Sequence, residues 1–469
     1  MPRKTYRIIS NTFLVGLKSA LNLLFFSFLS KYLGSRLFAV YNFYTAFFIS
    51  FKGLLDSGTS QYILSQSENN IKWKYYTFIL IPIIQFLSFL LIFSIYFLLV
   101  KNQNSTFIDA FIIVFLNFIL QIYIGNFTNF FERFELTKIY TWLNFLGAVL
   151  QIFCLLIFIN LFSPSILYLF SSICILWLIL IIIFISVGFN KLKTIEFYHK
   201  NSKENIHNWN AYLIPLIFYG LVSALYSIID RFFAFQTNDD ISQNKMAIII
   251  MFIGVVSVIV SVYLRDLTKS FSILSNRNAL IKLKSAMYLS SIASILVLLI
   301  SIPFTNFVVT IFFDKSYSLN LTEIISLCFY FSFYLSNQII IGYYYARGMT
   351  KYISIVGVIG MILLFVLALY IYFVLSITSK YIVLLFILKL SLLQFYQLVY
   401  FINNCFDFNN YKNLVLEILI SFVIMLLTVY IIYNFKYNIL INFLLLAVSF
   451  TSLLLINKKL IKDQLKKYV

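Results

Sequence analysis

Apolar residues run through this chain in long blocks, broken by short polar punctuation and not by strict alternation. A helix needs roughly 20 mostly apolar residues to cross hydrocarbon. The blocks predict fourteen such helices, numbered in chain order at 8–31, 37–64, 75–100, 106–130, 138–162, 165–189, 211–236, 244–265, 286–312, 318–346, 351–376, 380–402, 413–434 and 436–457. The connections are short. The longest, 190–210 and 266–285, hold no folded domain, and only Asn434-Phe-Lys-Tyr-Asn438 divides the last pair.

Polar residues inside the predicted helices fall in stripes. Asn11, Lys18 and Asn22 are spaced i, i+7, i+11 on helix 1, which is one helical face, with Ser19 beside them. Helix 2 repeats the pattern with Thr45, Lys52, Asp56 and Thr59. Helix 7 carries Ser223, Ser227, Asp230 and Arg231, and helix 8 carries Ser257, Ser261 and Arg265. Asn117 and Gln121 lie on helix 4, Lys389 and Gln397 on helix 12, whereas helices 3, 6 and 13 have no comparable stripe. A charge at a helix centre costs roughly 2.5–3.5 kcal/mol on insertion scales. The faces on helices 1, 2, 7 and 8 are therefore expected to line a hydrated cavity between two halves of the protein. Lys18 has no acidic residue within a turn and lies too deep to snorkel. Asp56 stands one turn from Lys52 and neutralises it or serves in coupling. Asp230 is expected to form a structural interhelix pair or to bind a coupling ion. Arg231 and Lys389, in the outer parts of their helices, are expected to snorkel toward the interface.

The chain also resembles itself. Gly16-Leu-Lys-Ser-Ala-Leu21 of helix 1 matches Gly220-Leu-Val-Ser-Ala-Leu225 of helix 7 at an offset of 204. Thr137-Lys138 with Gly147 matches Thr350-Lys351 with Gly360 at an offset of 213. Two matches at nearly one offset predict six-helix halves, and an even number inserts both in the same orientation, a parallel repeat. The expected organisation is an N-lobe over 1–205, a C-lobe over 206–408, and helices 13 and 14 with a tail over 409–469.

Composition fixes the solvent. The 469 residues are 62% hydrophobic, 20% aromatic and only 11% charged. A soluble domain carries about 25% charged residues, so this chain needs lipid around it. Its formal charge of +19, from 35 Lys and Arg against 16 Asp and Glu, is mostly topology. With both termini cytoplasmic, 24 of the basic residues fall on inside segments, seven on outside segments and four within helices, which are Lys18, Lys52, Arg231 and Lys389. That is a positive-inside distribution. It places the chain as a multi-pass membrane protein with cytoplasmic termini and turns the basic excess away from nucleic acid. The start, Met1-Pro-Arg-Lys, reads as part of a retained first helix. His199 and His207 share one polar stretch and the four cysteines have no paired spacing, so no metal site or disulfide framework is expected.

Three elements carry a family resemblance. The first is Ser30-Lys-Tyr-Leu-Gly34 with Phe38, Tyr41-Asn-Phe43 and Leu55-Asp-Ser-Gly-Thr-Ser60. The others are Ile228-Ile-Asp-Arg-Phe232 and Ala346-Arg-Gly-Met-Thr-Lys-Tyr352. Together they resemble the Wzx-type polysaccharide flippases of the multidrug/oligosaccharidyl-lipid/polysaccharide exporter superfamily. The resemblance implies an all-α polytopic fold, with two six-helix lobes in a V and two additional C-terminal helices. It implies a protein that moves a polyprenyl-diphosphate-linked oligosaccharide, of O-antigen or capsule type, from the cytoplasmic to the periplasmic leaflet. Lys18, Lys52 and Arg231 match the family's cavity cations by position, though they are few for a strongly anionic load. Thr237-Asn-Asp-Asp240 departs from the family, which has glycine in the turn after helix 7.

A transporter is thus the leading expectation, and not an enzyme. Lys18, with Lys52 or Arg231, would attract the diphosphate. Asn11, Asn22, Thr45, Ser227, Ser257, Asn117 and Gln121 would hydrogen-bond sugar hydroxyls. No nucleotide-binding loop and no cofactor motif is present, so a proton or sodium gradient is the expected energy source, with Asp56 or Asp230 coupling to it. Polysaccharide polymerase and chain-length proteins are the expected protein partners. The alternatives are a cation-coupled multidrug antiporter, which calls for acidic cavity residues, and a lipid-linked peptidoglycan-precursor flippase, which calls for more arginines on helices 1 and 2. A membrane glycan polymerase or ligase needs a large catalytic loop that this chain lacks.

Overall fold

In the computed structural model the described residues are 3–56, 81–100, 106–133, 137–162, 164–194, 202–374 and 381–405. Eleven α-helices account for nearly all of them, in this order: α1 (Arg3–Asp56), α2 (Ile81–Val100), α3 (Thr106–Arg133), α4 (Thr137–Leu161), α5 (Ile166–Thr194), α6 (Ser202–Gln236), α7 (Asp240–Ile273), α8 (Asn276–Phe312), α9 (Leu321–Ala346), α10 (Thr350–Leu369) and α11 (Ile382–Cys405). A 3₁₀ turn at Lys315–Tyr317 precedes α9, and a π-helical turn at Tyr370–Val374 continues α10. Predicted helices 13 and 14 lie outside the described residues.

The first two predicted helices are the two limbs of α1. They meet at Gly34, whose φ of 72° and ψ of 173° break the helix. The chain doubles back there, because Phe26 and Tyr41 bring their rings to 6.2 Å. Fifteen residues of straight helix would hold them more than about 20 Å apart. Glycine at this position supplies the positive φ without a Cβ penalty.

The turn between α6 and α7 reaches the same end with a different residue. Asn238 has φ of 52°, the one positive φ outside glycine among the described residues. Its N–H donates to the Phe235 carbonyl at 3.2 Å, and the Asp239 N–H donates to the Ala234 carbonyl at 2.9 Å. This is a Schellman closure, and asparagine is the residue after glycine that best tolerates it. Asp239 then starts the next helix, its Oδ1 accepting from the Ser242 N–H at 3.0 Å. The departure from a glycine turn is therefore a local substitution that keeps the backbone shape. Gly34 and Asn238 stand 204 residues apart, the offset that separates Gly16 from Gly220.

The long connection expected at 266–285 is almost wholly helical. α7 runs on to Ile273 and α8 starts at Asn276. Likewise α6 starts at Ser202, nine residues before the predicted span. Hydropathy reports only the part of a helix that meets lipid. Lys and Arg end the apolar window but are good helix formers, so the helices continue past it.

The chain divides into two compact units. The first comprises Met1–Ile259 and Thr350–Val374, the second Val260–Met349 and Leu375–Val469. In the first, α6 packs on both α1 and α10, and α3 packs on α5. Phe25, Phe38, Phe43, Phe47 and Phe48, all on α1, are among its most completely buried large side chains. A second cluster joins α3, α4 and α5 through Phe127, Leu143, Leu176, Leu180 and Phe184. In the second unit α9 packs between α8 and α11. Tyr344 of α9 meets Phe401 of α11 with ring centroids 4.7 Å apart.

Large apolar side chains also cover the outside. Phe86 and Leu87 on α2, Ile175 and Ile182 on α5, and Leu363 and Val366 on α10 are exposed. Among the described residues six helices are long and apolar enough to cross a membrane, including Gly16–Ser50, Ile217–Gln236 and Thr350–Val374. Surface of this kind requires a lipid solvent, since a water-soluble monomer does not expose it at this density. The exposed faces of α2 and α5 agree with the missing polar stripes on predicted helices 3 and 6.

Candidate functional site

The polar residues of the first unit gather where α1, α6, α7 and the end of α10 come together. Asp230 and Arg231 are adjacent on α6 and both buried, Arg231 with 5% of its surface exposed. Neighbouring helical residues point about 100° apart, so the two reach different helices. Arg231 donates from its guanidinium to the Asn42 carbonyl at 3.3 Å, on the second limb of α1. Asp230 accepts a hydrogen bond from the Tyr372 hydroxyl in the π-helical turn after α10. Phe233, one turn along α6, stacks on the Tyr372 ring at 4.5 Å. The π turn is what carries Tyr372 inward; such a turn adds a residue to the helical repeat and shifts the register of its side chains.

Beside this pair lies an amide clasp. Asn42 donates from Nδ2 to Asn244 Oδ1 at 3.0 Å. Asn244 in turn donates from Nδ2 to the Ser35 carbonyl at 3.0 Å. Both asparagines are buried, and Phe43 stacks on Phe235 next to them with centroids 4.2 Å apart. The hairpin at Gly34 is thereby fastened to the hairpin at Asn238.

The predicted site residues are spread over several helices. Lys18 and Asn22 on the first limb of α1, Thr45 on the second, and Ser227 on α6 are half-buried. Ser257 returns its hydroxyl proton to the Ile253 carbonyl of its own helix at 2.7 Å. Gln121 donates to Asn117 at 2.8 Å, with Asn117 buried and Gln121 on the surface of α3. The side chains of Asn11, Lys52 and Asp56 lie outside those described.

Two expectations are corrected. Arg231 does not snorkel, because its guanidinium is held inside the unit by the Asn42 carbonyl and lies beside Asp230. Lys389 on α11 is also buried, with 6% exposed. In both cases neighbouring helices cover a side chain that hydropathy could place only by depth.

The second unit holds a further amide group, of which the polar pattern of the sequence disclosed only Gln397. Asn337 of α9 donates from Nδ2 to Gln394 Oε1 at 2.6 Å and to Gln397 Oε1 at 2.8 Å on α11. Ser290 and Ser336 share a hydrogen bond at 3.0 Å across α8 and α9. Among the described residues no group of three His, Cys, Asp or Glu stands close enough to hold a metal ion.

Sequence reasoning found Asp230 and Arg231 but missed Asn42, Asn244 and Tyr372 as members of the same site. A signal existed for the asparagines. They lie 202 residues apart, close to the repeat offset, and Asn42 belongs to a resemblance element. Tyr372 gave no signal, being one of 34 tyrosines in an apolar helix.

Comparison with known proteins bears on this arrangement. The sequence family described as polysaccharide biosynthesis protein matches residues 6–240, which include nearly all of α1, Asp230, Arg231 and the Asn238 turn. No curated protein matches the chain in sequence. Solved structures match over most of it. A MATE transporter in complex with MaL6 has a TM-score of 0.62 at 11% identity, covering 87% of this chain and 96% of its own. A MOP superfamily transporter from Pyrococcus furiosus gives 0.61 at 12% identity, covering 85% and 95%. The lipid II flippase MurJ, in an inward closed conformation, gives 0.59 at 16% identity, covering 97% of this chain and 100% of its own. At these identities the likeness is one of fold, and the fold is that of membrane transporters.

Proposed function

We propose, from the premise that this chain belongs to the polysaccharide biosynthesis protein family, that it flips a polyprenyl-diphosphate-linked oligosaccharide across the cytoplasmic membrane. The observation that carries this reading is the family match over residues 6–240, which spans the polar face of α1. A sugar head group is too polar to cross hydrocarbon, while its polyprenyl tail stays in the bilayer. The protein has only to supply a polar path for the head group and to expose it alternately to each leaflet.

Lys18 is the cation we assign to the diphosphate, together with Lys52. Arg231 drops from that role, because its guanidinium is committed to the Asn42 carbonyl. Asn22, Thr45 and Ser227 offer hydroxyl and amide groups to the sugar. Asp230 is the group we assign to a coupling proton or sodium ion. Cytoplasmic placement of both termini accords with the positive-inside distribution.

Deletion of the gene tests the function. Lipid-linked repeat units should accumulate on the cytoplasmic leaflet while surface polysaccharide is lost, and normal surface polysaccharide would end the proposal. Lys18→Ala should lower export at least tenfold at equal protein level. Full export by that variant would remove Lys18 from the substrate path.

A second reading is favoured by the match along the full length of a lipid II flippase. In that reading the load is a peptidoglycan precursor, also a sugar joined to a diphosphate. Complementation of a strain depleted of its own lipid II flippase would support it, and failure with intact expression would exclude it.

A further inference from the structure

The clasp between the two hairpins contains an anomaly. Asn244 uses both ends of its amide, accepting from Asn42 and donating to the Ser35 carbonyl. Gln243, the next residue on α7, is buried with 1% exposed, and neither its Oε1 nor its Nε2 has a hydrogen-bond partner. An orphaned buried polar group costs on the order of 1–3 kcal/mol. The large majority of buried side-chain polar atoms in folded proteins are paired. Here a whole carboxamide is left without partners beside one that is paired at both ends, one position along the helix.

We infer that the first turn of α7 is a two-position gate: the Asn42–Asn244 clasp holds one end of the transport path closed, and a roll of that turn, which brings Gln243 onto a polar partner in place of Asn244, releases it. The inference rests on the transport reading above. Adjacent residues are about 100° apart around a helix, so a roll by one position replaces Asn244 with Gln243. The two carboxamides present the same donor and acceptor. The exchange therefore keeps the hydrogen-bond chemistry of the end and changes its geometry by a methylene and a rotation. The closed position carries the cost of the orphaned Gln243, which narrows its advantage over a position that pairs this amide.

The surroundings fit a local movement. Asn238, in the left-handed region, and Asp239, which caps α7 through the Ser242 N–H, form the short connector on which the turn would roll. A few residues at the end of an element that absorb a backbone change are the usual hinge. The closing contacts come from the hairpin at Gly34, so the clasp joins two parts of the chain about 200 residues apart through side chains and not through continuous backbone.

Gln243→Met tests the gate. Methionine keeps the length and removes the unpaired amide. In purified protein the thermal midpoint should rise by several degrees, and hydrogen exchange over residues 236–246 should slow at least threefold. Export in cells should fall at least fivefold. A raised midpoint with unchanged exchange and export makes Gln243 a purely structural cost and overturns the gate. A lowered midpoint means the amide was already satisfied, by water for instance, and overturns it as well.

A second arm uses the double variant Asn42→Cys with Asn244→Cys, each single variant serving as control. Oxidation should block export in the double variant alone, and reductant should restore it. Export that survives complete cross-linking overturns the gate. If the parent protein itself fails to restore surface polysaccharide in the deletion strain, the flippase reading has failed. The exchange measurement on purified protein then still decides the gate.

Discussion

The Tyr372 hydroxyl stands 2.5 Å from Asp230 Oδ1 and donates its proton to it, inside the first unit. The donor comes from a π-helical turn at the end of α10, the acceptor from α6, 142 residues away in sequence. One contact thus ties an irregular helical turn to a buried acid. It leaves Asp230 dependent on a residue that nothing in its own helix indicates.

Tyr372→Phe should consequently destabilise the protein by about 1–3 kcal/mol, the range for removing a partner from a buried polar group. Thermal unfolding in detergent measures it. The stacking on Phe233 is retained in the variant, so the loss reports the hydroxyl alone. An Asp230→Asn, Tyr372→Phe double variant should lose less than the two single losses combined, because both remove the same contact.

Arg231→Met should be more damaging. It removes the cation beside Asp230 and leaves the Asn42 carbonyl without its guanidinium donor. Breaking one side of a buried charged pair typically costs about 3–5 kcal/mol. Lys18→Ala, by contrast, should lower export far more than it lowers the unfolding midpoint. The comparison separates a residue that builds the site from one that serves the substrate.

Gly342 marks a close approach in the second unit. A Cβ there would meet Thr268 Oγ1 at 2.9 Å, and Thr268 is β-branched with its hydroxyl bonded to the Leu264 carbonyl. Gly342→Ala should therefore cost about 1–3 kcal/mol through overpacking. Thr268→Ala in the same chain should recover most of the loss, as read from thermal unfolding of the single and double variants.

Asp240, at the first position of α7, gives a pH prediction. Burial raises its carboxyl above the ordinary carboxylate range, Arg36 opposes that rise and Asp239 adds to it. A raised pKa in the folded state favours the protonated form. Its contribution to stability is present below the unfolded pKa and is lost as pH rises through the folded value. Asp240→Asn should then unfold at a slightly higher temperature than the parent at neutral pH, and the difference should vanish in acid. The group is only partly buried, so the effect is small and screened by salt. Unfolding midpoints across pH 3–8 measure it.

The alternation of long apolar blocks with charged punctuation was enough to give the helix order through predicted helix 12 and the lipid solvent. Both follow from hydrophobic transfer, which is local and nearly additive along the chain. The same rule explains the failures at 202–210 and 266–285, where helices continue through polar and charged residues that a hydropathy window reads as loop. The polar stripes identified Asp230 and Arg231 as buried charges that need partners.

The partners themselves were decided by tertiary packing. Asn42, Asn244 and Tyr372 are ordinary residues in the sequence and become a site only where α1, α6, α7 and the π turn of α10 meet. Periodicity says which face of a helix is polar, but it carries no information about which other helix that face will meet. Spacing placed Arg231 by depth and had it reach for the interface. The fold instead offers it a backbone carbonyl one helix away, and a buried charge takes the nearest acceptor because leaving it unpaired costs more than turning inward.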